Sequence, residues 1–301
     1  MSIPYVRQFD FEYGRCDTLS PLVQRVIADN PGPFTYTGTG VFIIGDKNVC
    51  VIDPGPNTKA HQKALDQALE NRTVSHILLT HHHSDHSPLA KPLAQAHKCQ
   101  VYGMSLKQKF SMDTDVKLEA GNDPSFAPDV ELTDGDVIKG DGWMIEALHT
   151  PGHTSNHLCF ALKEENTLFS GDHVMGWSTS VVVSPDGDMG DYMNSLEKIY
   201  DRHFDLIRPT HGPVIKNVDN FVQAYIDHRL NREKQVLKAI NEGLYNIFDI
   251  VTSLYADVDK RLHPAAAHSV LSHVIQLRKS GEITASGKDG LSQNYYPLTT
   301  S

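Results

Sequence analysis

Within six positions, His81-His82-His83-Ser84-Asp85-His86 gathers five side chains able to bind a proton or a metal. Imidazole and carboxylate are the donor set that suits zinc and neighbouring first-row ions. The cluster follows Ile77-Leu78-Leu79-Thr80, a short apolar run that reads as a buried strand. Open α/β sheets hold ligands at the carboxyl ends of their strands. Burying so much polar chemistry at such an end is costly without a partner, and a bound cation is the simplest partner. Three more positions repeat the pattern, each just after an apolar strand or a Gly/Pro turn. They are His153 in Thr150-Pro151-Gly152-His153-Thr154, Asp172 in Leu168-Phe169-Ser170-Gly171-Asp172, and His211 in Pro209-Thr210-His211-Gly212-Pro213. Strand-like alternation points His82 away from its neighbours and predicts a structural role for it.

These residues need elements to hold them. The first thirty residues read as a strand or two and a short apolar helix. Val41–Ile44 and Val49–Ile52 form a hairpin of buried strands that ends at Asp53-Pro54-Gly55-Pro56. Asp53 is there as a turn residue bonding backbone, or as an acceptor that orients the metal loop. A helix spans His61–Glu70, and the strand Val74–Thr80 carries the cluster. Ser87 is placed to cap a helix over Pro88–Lys98. Residues 105–130 are more polar and predict a surface excursion near the site. Strands follow within Val137–Leu148 and Leu158–Ser170. Ser178–Asp191 reads as a loop with one short strand on its three valines, and Tyr192–Phe204 as an amphipathic helix. After Val214 the pattern becomes helix (Phe221–Asn241), helix (Ile247–Ala256), helix (His263–Lys279) and a two-stranded wing within Glu282–Leu298. Periodicity alone gives an α/β class. The change of character divides the chain into residues 1–220 and 221–301.

The motif order HxHxDH, TPGH, SGD, THG, from about Pro31 to about Pro213, resembles the metallo-β-lactamase superfamily. Asn30-Pro31-Gly32-Pro33-Phe34-Thr35, Ile52-Asp53-Pro54-Gly55-Pro56, Asp191-Tyr192-Met193-Asn194-Ser195-Leu196 and His228-Arg229 with Arg232-Glu233 are similar to the β-lactamase-like protein 2 family. The resemblance implies an αββα sandwich of two packed sheets with helices outside, joined to a small C-terminal winged-helix-like α+β domain. It implies two divalent metal ions, with zinc expected from the donor type. His81, His83 and His153 would hold the first, and Asp85, His86 and His211 the second. Asp172 would bridge them. It favours the orienting role for Asp53. Asp85 would also act catalytically, its free oxygen steering the nucleophile or carrying a proton. Asp172 stands where some true β-lactamases carry cysteine, which favours the two-metal hydrolase branch. A flavodoxin-like half and a β-CASP insertion are both missing, and the C-terminal part differs from that expected of a glyoxalase II.

The resemblance implies a metal-dependent hydrolase using a metal-bridging hydroxide. Phosphodiester cleavage in single-stranded nucleic acid is the first expectation, since animal members of the narrower family are associated with cutting single-stranded RNA. The alternative is a thioester, lactone or other small-ester hydrolase. A further alternative is a DNA-binding sensor acting through the winged helix. The net charge of −10 and pI near 5.9 argue against broad binding to nucleic acid or anionic membrane. From residue 221 onward nine basic residues face eight acidic ones, far from the footprint of a typical DNA reader. The loop after Asp172 should border the site, which makes Ser178, Thr179, Asp191 and Tyr192 the candidate substrate contacts. No apolar run approaches the roughly 18 residues of a membrane span. Met1–Arg15 does not read as a secretory signal. The four cysteines form no CxxC pair, so buried thiols in a reducing cytoplasm are expected. A homo-oligomer is compatible with the sequence.

Overall fold

The computed structural model describes residues 3–108 and 121–298. Of the excursion expected over 105–130, residues 109–120 therefore lie outside the described residues. β3 (Gly40–Ile44) and β4 (Asn48–Ile52) form the expected hairpin, with Phe42 opposite Ile52 and Ile44 opposite Cys50. Phe42 and Ile44 point into one apolar core, Val41 and Ile43 into another. A strand covered on both faces reads as a continuous apolar run instead of an alternating one.

β1 (Cys16–Thr18), β2 (Val23–Ile27), β5 (Thr73–Leu78), β6 (Gln100–Gly103) and β7 (Val130–Glu131) extend this hairpin into a seven-stranded sheet in chain order. Pairing is antiparallel up to β4 and parallel beyond it. Parallel neighbours need crossovers; α1 (Lys59–Ala68) makes the one from β4 to β5 and α2 (Ala90–His97) the one from β5 to β6. β8 (Val137–Lys139), β9 (Met144–His149), β10 (Leu158–Leu162), β11 (Thr167–Phe169) and β12 (Leu206–Arg208) form the second sheet, in the order β12-β11-β10-β9-β8. β11 and β12 are parallel, and α3 (Met189–Tyr200) crosses between them.

Phe42 and Ile52 from the first sheet meet Phe160, Leu158 and Phe169 from the second in a core between the sheets. The rings of Phe42 and Phe169 lie 4.8 Å apart. Each such burial contributes about 1.5–3 kcal/mol. Cys159 and Ala161 alternate outward, under α3 and the start of α4 (Val218–Asn241). The layers are therefore α, β, β, α.

α5 (Ile247–Leu254), α6 (His263–Lys279) and the hairpin of β13 (Ile283–Ala285) with β14 (Tyr295–Pro297) share a separate core with the end of α4. The boundary expected at 220/221 falls inside α4. Phe221 and Tyr225 of that helix belong to the first unit's core, Val236 and Ile240 to the second's.

Three expectations are corrected. No helix precedes α1 among the described residues, because the apolar residues there pair as β2 with β3; tertiary pairing overrides local propensity. Ser87 caps no helix: α2 starts at Ala90, and the Ser87 hydroxyl donates to the His83 carbonyl and to Asp123. The three valines form no strand, since the carbonyls of Val181, Val182 and Val183 accept from His153, Ser272 and Gly187 in turn.

Candidate metal centre

The ligand-type residues sit just beyond the carboxyl ends of β5, β9, β11 and β12, on one rim of the sandwich. Backbone bonds lock the two sheets together there. Leu158 N–H donates to Thr80 O at 2.8 Å, and Gly40 N–H to Thr210 O at 2.7 Å. Two of the motif glycines are required by close approach. A Cβ on Gly152 would come within 2.4 Å of the Tyr192 backbone, and its φ is +137°. A Cβ on Gly171, at φ +52°, would meet the His157 ring at 2.6 Å. These are positions where only glycine fits.

His81, His83, His153 and Asp172 each present a donor atom, all within 4.8 Å of one another; Asp85, His86 and His211 form a second such group. Asp172 joins them. Its Oδ2 lies 3.7 Å from His153 Nε2 and 3.5 Å from His86 Nε2, and its Oδ1 3.4 Å from His211 Nε2. His82 stays outside both groups, its ring nitrogens near Asn156 and Asn122.

The donor atoms fit a metal pair. His81 Nε2, Asp85 Oδ1, His86 Nε2 and Asp172 Oδ1 are buried and have no hydrogen-bond partner. Buried polar atoms are otherwise almost always paired. Burial, then the neighbouring His86 and His83 rings, pushes His81 well below the usual histidine range, which keeps its lone pair free. Burial works against charge on Asp172, but His211 and His86 outweigh it and hold the carboxyl well below its ordinary range. Asp85 is likewise opposed by burial, yet His86 and His211 bring it down to about 2. Burial opposes a proton on His86 and His211 as well, and the facing carboxylates overcome it. A cation there would take the place of those protons.

Asp53 is the hub behind the second group. Its carboxylate accepts from His86 Nδ1 at 2.9 Å, from Thr80 N–H and hydroxyl at 2.8 and 2.7 Å, and from Thr210 at 3.1 Å. It is fully buried, in a left-handed turn at φ 47°. His153 is fixed differently, its Nδ1 donating to the Val181 carbonyl at 2.7 Å. Such outer contacts set ring orientation and donor strength.

Sequence reasoning missed His157. It is fully buried, its Nε2 accepts the Asp172 N–H at 3.2 Å, and its Nδ1 lies 3.0 Å from the Thr150 hydroxyl. Burial, then His173 and His153, lowers its affinity for a proton, so it serves as a neutral acceptor. A second histidine four positions after His153 was the available signal.

Of the candidate substrate contacts, Ser178 and Thr179 line the pocket over Asp85, His153 and Asp172. Asp191 and Tyr192 do not reach it. Tyr192 is fully buried, and its hydroxyl donates to the His173 carbonyl at 2.7 Å. Asp191 is exposed on α3, its N–H bonded to the capping Asp188. The helix starts at Met189, three residues before Tyr192, and turns that side chain into the core. Besides His83, the remaining wall is Pro33, Phe34, Met175, Trp177 and Val181, with Trp177 stacked on Tyr36 at 4.7 Å.

Residues 36–211 match the metallo-beta-lactamase superfamily, and residues 247–290 match the beta-lactamase associated winged helix domain. A beta-lactamase-like protein 2 homolog of Caenorhabditis elegans is 33% identical over 89% of this chain and 88% of its own length. An atrochrysone carboxyl ACP thioesterase of Claviceps purpurea is 29% identical over 80% of this chain and 74% of its own. A beta-lactamase domain protein from Burkholderia ambifaria has the same fold, with a TM-score of 0.77 at 20% identity, over 95% of this chain and 94% of that one. The chain belongs to the metallo-beta-lactamase superfamily.

Proposed function

We propose that this superfamily hydrolase cleaves acyl thioesters at a binuclear metal centre, in preference to phosphodiesters. The observation that carries this reading is the pocket wall. Pro33, Phe34, Met175, Trp177 and Val181 make it mostly apolar, and among the described residues no lysine or arginine lines it. Nucleic-acid sites draw most of their affinity from cations on phosphates. An acyl chain asks for apolar surface and a few polar groups to orient the ester. Relatives named as ACP thioesterases support the same choice.

A bound metal pair would supply Lewis-acid polarisation and water of pKa near ~7. His81, His83, His153 and Asp172 would hold one ion, and Asp85, His86 and His211 the other, with Asp172 between them. The rest is the work of this chain. Asp85, held ionised, lines the pocket, and the oxygen it does not give to a metal would accept the proton of the attacking water. Ser178 and Thr179 line the pocket, and their hydroxyls would orient the acyl carbonyl. No titratable side chain outside the ligand set lines the pocket among the described residues. A thiolate, whose parent thiol has a pKa near ~8.5, leaves without a general acid; an alkoxide leaving from phosphorus would need one.

The test is a panel on purified, zinc-loaded protein: hexanoyl-N-acetylcysteamine, bis(4-nitrophenyl) phosphate and single-stranded RNA. The expected result is a kcat/KM for the thioester at least about a hundredfold above that for either phosphodiester. RNA cleavage that outruns thioester hydrolysis would return the nucleic-acid reading to first place.

A further inference from the structure

We infer that the C-terminal unit is a positioning element for the metal ligand His153, acting through Ser272 of α6 and Arg229 of α4 on the strap Ser180-Val181-Val182. Three consecutive carbonyls of this strap are each claimed by a different part of the molecule. Ser180 O accepts from Arg229 Nη2. Val181 O accepts from His153 Nδ1 at 2.7 Å. Val182 O accepts from the Ser272 hydroxyl at 2.7 Å. The carbonyl that fixes the ligand ring is thus flanked on both sides by anchors from the two helices.

The anchors are themselves held. Ser272 is 3% exposed and Arg229 is 5% exposed. The Arg229 guanidinium lies over the Tyr192 ring, 5.1 Å from its centroid, and Ser180's own hydroxyl donates to the His173 carbonyl at 2.7 Å. Further along the strap, Lys279 of α6 pairs with Asp188. Asp188 N–H in turn donates to the carbonyl of Gly152, the residue before His153. Gly190 packs so closely on Gln276 of α6 that a Cβ would come within 2.6 Å of its amide oxygen. α6 thus turns Ser272 and Gln276 towards the first unit, at Val182 and Gly190, while Ala267, Val270, Leu271 and Val274 fill the C-terminal unit's own core.

The chemical consequence follows from the bond to Val181. A carbonyl that accepts from Nδ1 puts the proton on that nitrogen and leaves Nε2 as the donor to metal. Its direction sets the ring plane. Freeing the flanking carbonyls lets the strap turn, and the His153 donor turns with it. Ser272 and Arg229 are positioning residues, touching neither metal nor substrate.

The inference rests on the metal centre and is independent of which ester is cut. It is tested in the full chain with zinc and cobalt as probes. Ser272→Ala should weaken binding of one zinc per chain about tenfold in chelator competition, and alter the cobalt(II) visible spectrum. Ser272→Thr, which keeps the hydroxyl, should restore both. In a His153→Ala background, Ser272→Ala should have no further effect on metal affinity, since its route to the metal is gone. Should Ser272→Ala fail to fold, Ser272→Cys, with its weaker donor, gives a graded version of the same loss. Zinc affinity and cobalt spectrum unchanged in a folded Ser272→Ala or Ser272→Cys protein, with only the melting temperature lowered, would overturn the inference. So would an equal loss with and without His153. Wild-type protein that takes up no metal would instead overturn the metal centre itself.

Discussion

Asp53 and Val181 do the same job for opposite halves of the metal centre, by different means. Asp53 closes β4, inside the first sheet, and its carboxylate gathers Thr80 and His86, both beyond the end of β5, and Thr210, beyond the end of β12. Val181 is a backbone carbonyl on a loop, and the loop is tied to helices from a second core. The second ligand group is thus anchored within the sandwich, and His153 of the first leans on the strap that the C-terminal helices hold. Sheet-end anchors open only with the core, whereas loop anchors can move at lower free energy. The difference predicts a centre with one fixed half and one adjustable half.

The harshest test removes the element both halves share. Asp172→Asn should reduce occupancy of both metals and lower kcat/KM by about a thousandfold or more, the equivalent of several kcal/mol of electrostatic stabilisation. Metal analysis and steady-state kinetics check it. A variant that keeps two metals per chain and near-normal turnover would remove Asp172 as the link.

His83→Ala should act on one half only. It removes a donor from the first group, so one metal and most activity go together, a fall of roughly a hundredfold. Retention of full metal content would break the assignment of His83. Because metal binding is linked to folding, the melting temperature should also drop.

Asp53→Ala probes the fixed half from behind. Loss of an outer-shell partner typically weakens metal binding or activity by about 10–100-fold. It also leaves Thr80 and Thr210 without their acceptor in a buried site, at about 1–3 kcal/mol of stability. Denaturant midpoints and zinc competition read both effects. In this variant the His153 side of the cobalt spectrum should stay as in the wild type; a change there would dissolve the distinction between the halves.

The sequence displayed the fixed half better than the adjustable one, for a physical reason. The ligand motifs sit next to glycine and strand signals, so both chemistry and location could be read together. Both Gly152 and Gly171 mark places where the backbone must approach closely. Asp53 ended a visible strand, and its two readings were separated only by seeing which groups it accepts from. The strap was harder. Three valines look like a strand, and whether their carbonyls pair in a sheet or with His153, Ser272 and Gly187 depends on groups as far as ninety residues away. Tyr192 misled for the same reason: its hydroxyl reads as a ligand contact until α3 is rotated by its start at Asp188, the N-cap. His157 lacked a motif of its own, and its value lies in one bond to the Asp172 backbone.

Smaller effects fall on the pocket wall. Thr179→Ala should leave both metals bound and raise KM for the true substrate a few-fold, as loss of one hydrogen bond of about 1 kcal/mol implies. Tyr192→Phe should instead leave KM alone and lower stability by a similar amount, since its hydroxyl serves the His173 carbonyl. An effect of Tyr192→Phe on KM with stability intact would put that tyrosine back at the pocket.

The smallest expected effect concerns acid and the adjustable half. His228 sits on α4 beside Arg229, and its Nδ1 is buried without a partner. Burial, then Arg229, Arg232 and His273, brings its pKa down to about 4 from an ordinary 6.5. Glu233, the carboxylate near these groups, lies 3.7 Å from His273. Above pH 6.5 His228 is neutral both folded and unfolded, and contributes nothing to the pH dependence. As pH falls from 6.5 towards 4 the unfolded chain takes up a proton that the folded chain refuses, so stability declines across that window. The group is partly solvated, which discounts the effect to about 1 kcal/mol. His228→Gln should remove that slope: between pH 7.5 and pH 5, metal-loaded, the wild type's denaturant midpoint should fall further than the variant's. Parallel losses in the two proteins would show that His228 carries no part of the acid sensitivity.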